Sequence, residues 1–142
     1  GVQLGRYDYR EQVEDRKADG SVVIVIATDA PLSDRNLRRV AERAFAGIAR
    51  TGSSFSKGSG DYAIAFSTNP AVRRTAERRD KVANYEDLSN DRVSPLFQAT
   101  IEATEEAVLN ALFRAETVVG HSGTAQALPL ERVLPMIQKA GE

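Results

Sequence analysis

"ADGSVVIVIATDAP", residues 18–31, passes from a polar turn to a solid apolar run at Ser21. The β-branched run Val22 to Ala27, bounded by Gly20 and Pro31, predicts a strand covered on both faces, as in the centre of a sheet. The lead before it, residues 1–20, mixes glycine, tyrosine and dense charge with no sustained apolar period, so it reads as an extended segment or linker. Two questions follow. One is what covers such a strand, and the other is why it starts directly after Gly20-Ser21.

Downstream, Ser33 or Asp34 can cap a helix in which Leu37, Val40, Ala41, Ala44, Phe45 and Ile48 recur at spacings of three and four, ending near Arg50 and Gly52. A glycine- and serine-rich loop, "TGSSFSKGSGD" (51–61), leads into "YAIAFST", whose alternation predicts a second strand. Asn69-Pro70 breaks it, and residues 71–90 read as an exposed connection with at most short regular pieces. From Ser94-Pro95, the residues Leu96, Phe97, Ile101, Ala107, Val108, Ala111 and Leu112 predict a long amphipathic helix ending before Gly120. A last helix is expected in "LPLERVLPMIQKAG", with Pro135 kinking or interrupting it and Gly141 following its end. The class is α/β, in the order strand, helix, strand, long helix, short helix. Two strands this apolar do not make an independent sheet, so a partner polypeptide or an upstream part of the same gene product is expected to complete the layers.

Composition narrows the chemistry. The chain has 142 residues, 42% hydrophobic and 27% charged, the balance of a globular protein with room for one domain or part of one. Nineteen basic against twenty acidic side chains give no broad positive field for nucleic acid or an anionic membrane, and "RRTAERRDK" (73–81) reads as a solvated face. No apolar stretch is long enough to cross a bilayer. With no cysteine and the single histidine His121, thiolate chemistry and most metal clusters are excluded; neither metal nor cofactor is expected. The opening "GVQLGRYDYREQ" lacks an apolar h-region, and cytoplasm is the expected location, although a start at glycine rather than methionine suits a processed or trimmed part of something longer.

Gly20-Ser21 has the form of a self-cleavage junction, in which a hydroxyl attacks the carbonyl before it, the acyl group moves from nitrogen to oxygen, and water releases a new N-terminal serine. Glycine, lacking Cβ, leaves that carbonyl open to approach. A freed Ser21 would combine a hydroxyl nucleophile with an α-amine whose ordinary pKa, about 7.7–8.0, suits a general base near neutrality. A turn entering a strand yields the same dipeptide. The second constellation is "GSGD", Gly58 to Asp61: Ser59 can relay a proton, Asp61 can orient a hydroxyl or hold an ammonium, and the backbone N–H groups of Ser59 and Gly60 can face a developing oxyanion. An ordinary polar turn is the alternative there, and a phosphate loop is disfavoured because the Gly-Lys-Ser/Thr spacing is missing.

Together, "GSVVIVIATDAPL" and "RTGSSFSKGSGD" are specific. The stretch from Asp19 to Thr68 closely resembles the β-subunit start of the DmpA-type aminopeptidases, the family of L-aminopeptidase D-amidase/esterases and β-peptidyl aminopeptidases, with a looser likeness through "LPLERV". The resemblance implies a self-cleaving hydrolase with an αββα sandwich related to the N-terminal-nucleophile hydrolases, of which this chain is the C-terminal part. Residues 1–20 are then the tail of the large subunit and 21–142 the small subunit. By position, Ser21 matches the nucleophile freed by cleavage after Gly20, Ser59 the proton relay and Asp61 the carboxylate partner, a position held by aspartate or glutamate in the family. Further site residues, including tyrosine and asparagine oxyanion donors, belong to the large subunit.

The activity implied is acyl transfer from a short peptide, amino-acid amide or ester with a free N-terminus, through an acyl-enzyme on Ser21. The partners implied are the large subunit of the same precursor and further copies, as a tetramer of heterodimers. The sequence runs through Gly20-Ser21 without a break, as in an unprocessed or trimmed chain or in two sides written end to end. Nylon-oligomer hydrolases and ornithine acetyltransferases share the architecture but carry threonine where Ser21 stands. A noncatalytic scaffold predicts no acylation of Ser21. His121 reads as a solvated helix-end cap, Tyr62 as a strand residue packed in the core, and Glu105 and Glu106 as solvent-facing.

Overall fold

The structure is a computed structural model that describes residues 20–140. Of the lead segment expected over residues 1–20 all but Gly20, and Gly141 after the last helix, lie outside the described residues. The described chain forms two compact units; one runs to Glu105 and contains the candidate site, and the other contains residues 106–140.

The first unit is built on a strand, a crossover helix and a parallel strand. Strand β1 (Val22–Thr28) and strand β2 (Asp61–Ser67) pair in register from Val22 opposite Asp61 to Thr28 opposite Ser67. A helix in the connection returns the chain to the starting edge, which makes the pair parallel and brings both strand starts to one end. Between them runs helix α1 (Asp34–Arg50), packed on the sheet more extensively over β2 than over β1. Asp34 in its first turn and Arg50 in its last complement the helix dipole, and Gly52 at φ 104° closes it with its N–H on the Ala49 carbonyl.

The N-terminus of α1 is held from a distant part of the chain. Ser33 stands at the cap position but does not cap with its own side chain. Instead the Asp87 carboxylate accepts from the Ser33 N–H at 2.9 Å, the Ser33 hydroxyl at 2.9 Å and the buried Asn36 amide at 3.2 Å. Partial burial works to raise the Asp87 pKa, but the Ser33 and Asn36 hydrogen bonds and the Arg35 charge outweigh it and hold the carboxyl below its ordinary range. Leu88 N–H donates to the Pro31 carbonyl beside this clasp, so the connection over 71–90 is tied down although it contains only α2 (Ala76–Arg79) and a 3-10 turn at Asn90–Arg92. Within it Arg78 donates to the carbonyls of Pro70, Arg73 and Asn84 and lies over the Tyr85 ring, so this member of the basic cluster organises the loop.

Helix α3 (Ser94–Phe113) starts in this unit, as expected from Ser94-Pro95. It meets α1 where Gly47 has no side chain; a Cβ there would stand 2.6 Å from the Ile101 carbonyl oxygen and 2.7 Å from the Thr104 Cβ. Thr100 and Thr104, both buried, satisfy their hydroxyls on the carbonyls of Leu96 and Thr100. Glu105 is not simply solvent-facing, for it pairs with Arg50 at 3.2 Å, whereas Glu106 is exposed.

One expectation for β1 does not hold in this unit. Val22, Ile24 and Ile26 turn toward the covered face, but Val23 is 71% and Val25 63% exposed, and on β2 Tyr62, Ile64 and Phe66 share that open face. The sheet is therefore covered on one side only among the described residues, and Tyr62 is not packed in a core.

The second unit differs from expectation in two places. Strands β3 (Val118–Gly120) and β4 (Gly123–Ala125) form a short antiparallel hairpin that the periodicity does not reveal, and His121 lies exposed in its turn instead of capping a helix. Helix α4 (Leu130–Ala140) runs through Pro135 without interruption. The carbonyl freed by the missing proline N–H is that of Glu131; both residues are exposed, so water can satisfy it.

Candidate active site

Parallel pairing sets the geometry. Val22 is opposite Asp61, so one step earlier Ser21 faces Gly60 and Gly20 faces Ser59. The two motifs, 39 residues apart in sequence, meet at the edge where both strands begin.

Five oxygens and one amide form the cluster. The Ser59 hydroxyl lies 2.7 Å from the Gly20 carbonyl oxygen and 2.9 and 2.8 Å from the two carboxylate oxygens of Asp61. The Gly60 N–H donates to Ser21 Oγ at 3.1 Å. The Gly20-Ser21 peptide bond is thus held from both sides, its carbonyl by a hydroxyl and its candidate nucleophile by a backbone donor. Ser21 is exposed on the open face of the sheet, while Ser59 and Asp61 are half-buried.

The loop that delivers Ser59 is ordered by its own contacts. Phe55 takes a left-handed conformation at φ 50°, uncommon for a residue with a side chain, and its ring stands edge-on to Phe45 of α1 with centroids 6.1 Å apart. Next, the Ser59 N–H donates to the Ser56 carbonyl at 2.9 Å, closing a turn. This corrects the expectation for that amide as an oxyanion donor: it is used within the loop. The other candidate, the Gly60 N–H, points instead at the Ser21 hydroxyl. A serine- and glycine-rich composition signals a turn here but not which amide the turn consumes.

Chemically, the Ser59 hydroxyl is the pivot. It has one hydrogen, and an ionised Asp61 can only accept, so that hydrogen can serve the Gly20 carbonyl or the carboxylate but not both fully. A hydroxyl directed at a carbonyl oxygen polarises it toward attack; a hydroxyl bonded to a carboxylate is placed to accept and pass a proton. The Gly60 N–H lowers the cost of negative charge on Ser21 Oγ. The Gly20 carbonyl was expected as the group attacked; what sequence reasoning missed is that Ser59 reaches it and that the Gly60 N–H reaches Ser21 Oγ, the advance signal being that two strand starts joined by a helix share an edge. Among the described residues no group of three or more His, Asp and Glu is gathered as a metal site, and no helix is long and apolar enough to cross a membrane.

Comparison with known proteins places the family and the fold. The family model described as peptidase family S58 matches residues 1–126. The chain is 41% identical over 122 residues to the β-peptidyl aminopeptidase BapA of Sphingosinicella microcystinivorans, covering 85% of this chain and 30% of that protein. Among solved structures, the PH0078 protein from Pyrococcus horikoshii OT3 superposes with a TM-score of 0.77 at 44% identity, over 87% of this chain and 34% of that one. The L-aminopeptidase D-Ala-esterase/amidase of Ochrobactrum anthropi, reported as a prototype of the serine aminopeptidases with a variant of the Ntn hydrolase fold, gives 0.75 at 34% identity, over 85% and 34%. The chain therefore spans about a third of the length of these relatives. The α/β expectation stands, and the architecture is part of the DmpA-type variant of the Ntn hydrolase fold. The chain belongs to peptidase family S58.

Proposed function

We propose that this chain is the nucleophile-bearing part of a self-processing serine aminopeptidase that hydrolyses amide or ester bonds after the unblocked N-terminal residue of short peptides. The observation that carries the reading is the pairing across one peptide bond: Ser59 Oγ on the Gly20 carbonyl at 2.7 Å and the Gly60 N–H on Ser21 Oγ at 3.1 Å. The names of the relatives, a β-peptidyl aminopeptidase and an L-aminopeptidase, support the same class.

In maturation, Ser21 Oγ attacks the Gly20 carbonyl carbon while Ser59 donates to its oxygen. The C–N bond breaks as the Oγ proton passes to the departing Ser21 nitrogen, leaving Gly20 esterified to Ser21 Oγ and Ser21 with a free amine. Water then cleaves the ester, giving a Gly20 carboxylate and restoring the hydroxyl. In turnover, Ser21 Oγ attacks the substrate carbonyl, its proton moving to the Ser21 amine or through Ser59. The amine leaving group departs protonated, and water releases the acyl-enzyme. With the Gly20 carbonyl gone, the Ser59 hydrogen is available to Asp61, which orients it as a relay.

The upstream part of the same precursor covers the open face of β1 and β2 and supplies further substrate contacts, and processed heterodimers assemble as a tetramer. The test is hydrolysis of alanyl p-nitroanilide, with its free amine, beside the N-acetylated compound, by the full precursor-derived enzyme and its Ser21→Ala variant. Release of nitroaniline from the free compound alone, abolished in the variant, is the expected result. Equal turnover of the blocked compound, or activity that survives Ser21→Ala, overturns the reading.

A further inference from the structure

From the end of α1 to the start of β2 the chain crosses a loop, residues 51–60, composed of glycine, serine, threonine, one lysine and one phenylalanine. Both contacts on the reacting bond are made by the last two residues of this loop, the Ser59 hydroxyl on the Gly20 carbonyl and the Gly60 N–H on Ser21 Oγ. Glycine and serine supply no apolar surface with which a loop can fix its own position. Phe55 is the residue of the loop that does.

Phe55 is also an unexpected residue for its place. Its φ of 50° is a conformation that glycine adopts without steric cost and that a residue with a side chain seldom takes, and glycine stands at 52, 58 and 60 of the same loop. A ring kept at such a position is explained by what it touches, the half-buried Phe45 of α1, edge-on with centroids 6.1 Å apart. Helix α1 is itself packed on β1 and β2, so this contact refers the loop to the body that carries Ser21. Both rings belong to this chain, and the contact exists independently of what covers the open face of the sheet.

A short chain of bonds leads from the ring to the reacting bond. The Phe55 N–H donates to Ser53 Oγ at 3.3 Å, and the adjoining Ser56 offers its carbonyl to the Ser59 N–H at 2.9 Å. Ser59 Oγ then lies 2.7 Å from the Gly20 carbonyl oxygen. A shift at residue 55 passes through the Ser56 turn to Ser59, and Gly60 follows it.

We infer that Phe55 is a positioning residue for the Gly20-Ser21 centre: docked on Phe45, its ring holds the loop so that Ser59 and the Gly60 N–H are aligned before reaction. This rests on the self-processing aminopeptidase reading above. Two contacts have to be made at once around one peptide bond, and a loop fixed beforehand makes them without being ordered at the moment of reaction. A strained conformation maintained beside reacting groups fits that role.

The experiment follows self-cleavage of the full precursor by intact mass after cell-free synthesis, then kcat and KM of the cleaved enzyme for alanyl p-nitroanilide, in the wild type, Phe55→Ala, Phe55→Gly and Phe55→Tyr. Melting temperatures are measured beside the rates, which are read well below them. Phe55→Ala is expected to slow self-cleavage and lower kcat by about ten-fold or more, because small misplacements of reacting groups are costly. KM is expected to change by less than about two-fold, since the interaction lost aligns reacting groups and does not bind substrate. Phe55→Gly relieves the left-handed backbone while removing the ring, so it keeps the test valid if Phe55→Ala fails to fold, and the same losses are expected. Phe55→Tyr keeps the ring edge and is expected to stay within about two-fold of the wild type. A Phe55→Gly precursor that cleaves and turns over at the wild-type rate overturns the positioning role, as does a lowered melting temperature with unchanged rates; the aminopeptidase reading then stands. A wild-type precursor that stays whole and inactive overturns that reading, and the positioning role with it.

Discussion

Ser59 has three oxygen neighbours within 2.9 Å and one hydrogen to share among them. That imbalance makes separable predictions for the two halves of its work. In Asp61→Asn the side-chain amide can donate to Ser59 Oγ, which leaves the Ser59 hydrogen for the Gly20 carbonyl. Self-cleavage is expected to persist within a few-fold, while peptide turnover, deprived of the carboxylate that orients the relay, falls by about 10²–10⁴. In Ser59→Ala the carbonyl loses its donor and self-cleavage slows by about 10²–10³, the usual effect of removing one oxyanion donor. Time courses of cleavage by intact mass, set beside p-nitroanilide rates, read both. An Asp61→Asn chain that stays as uncut as Ser59→Ala contradicts this division of roles. The residues of the cluster were legible as Gly20-Ser21 and "GSGD" because hydroxyl, carboxylate and glycine stand together in short motifs. The Ser59 amide was not, since its partner Ser56 is fixed by a turn conformation that composition leaves open.

Element by element, β1, α1, β2 and the start of α3 were legible because each has a sustained period or a cap. Strands β3 and β4 were not: they are three residues long and exposed throughout, so burial imprints no alternation on Val118–Gly120 or Gly123–Ala125. Nor could pattern alone reveal that α1 and α3 touch at Gly47. Gly47→Ala gains about 0.5–1 kcal/mol of helix preference but drives a methyl against a backbone carbonyl and a Cβ at 2.6 and 2.7 Å, overpacking that costs about 1–3 kcal/mol. The net expectation is a lower melting temperature, read by calorimetry; an unchanged or raised value would mean the helices do not cross this closely. The Asp87 clasp on α1 has its own signature. Its folded pKa is depressed, so its stabilisation is complete above the ordinary value of 3.8 and is lost as pH falls through the lowered one. Asp87→Asn should therefore be less stable than wild type at neutral pH and approach it in acid, in urea titrations at both pH values. A gap that is constant with pH contradicts the clasp.

For the whole molecule the decisive feature is the uncovered sheet face. Val23, Val25, Tyr62, Ile64 and Phe66 present a contiguous apolar surface, and the chain spans about a third of the length of its relatives. The expectation of a strand covered on both faces, drawn from "VVIVIA", does not hold within this unit, because a continuous apolar run does not say which segment covers the second face. If the rest of the precursor lies on that face, Val25→Asp in the full protein buries an unpaired charge and costs several kcal/mol. On a face that stays in water the same change falls within about 0.5 kcal/mol. Soluble yield and melting temperature of the full protein distinguish these outcomes. The central claim, however, is covalent. Intact mass and N-terminal sequencing of the purified full precursor, beside Ser21→Ala, test it most directly. The account predicts a fragment beginning Ser-Val-Val-Ile in the wild type and none in the variant. A wild-type chain that remains whole, or a variant cut at the same bond, contradicts it.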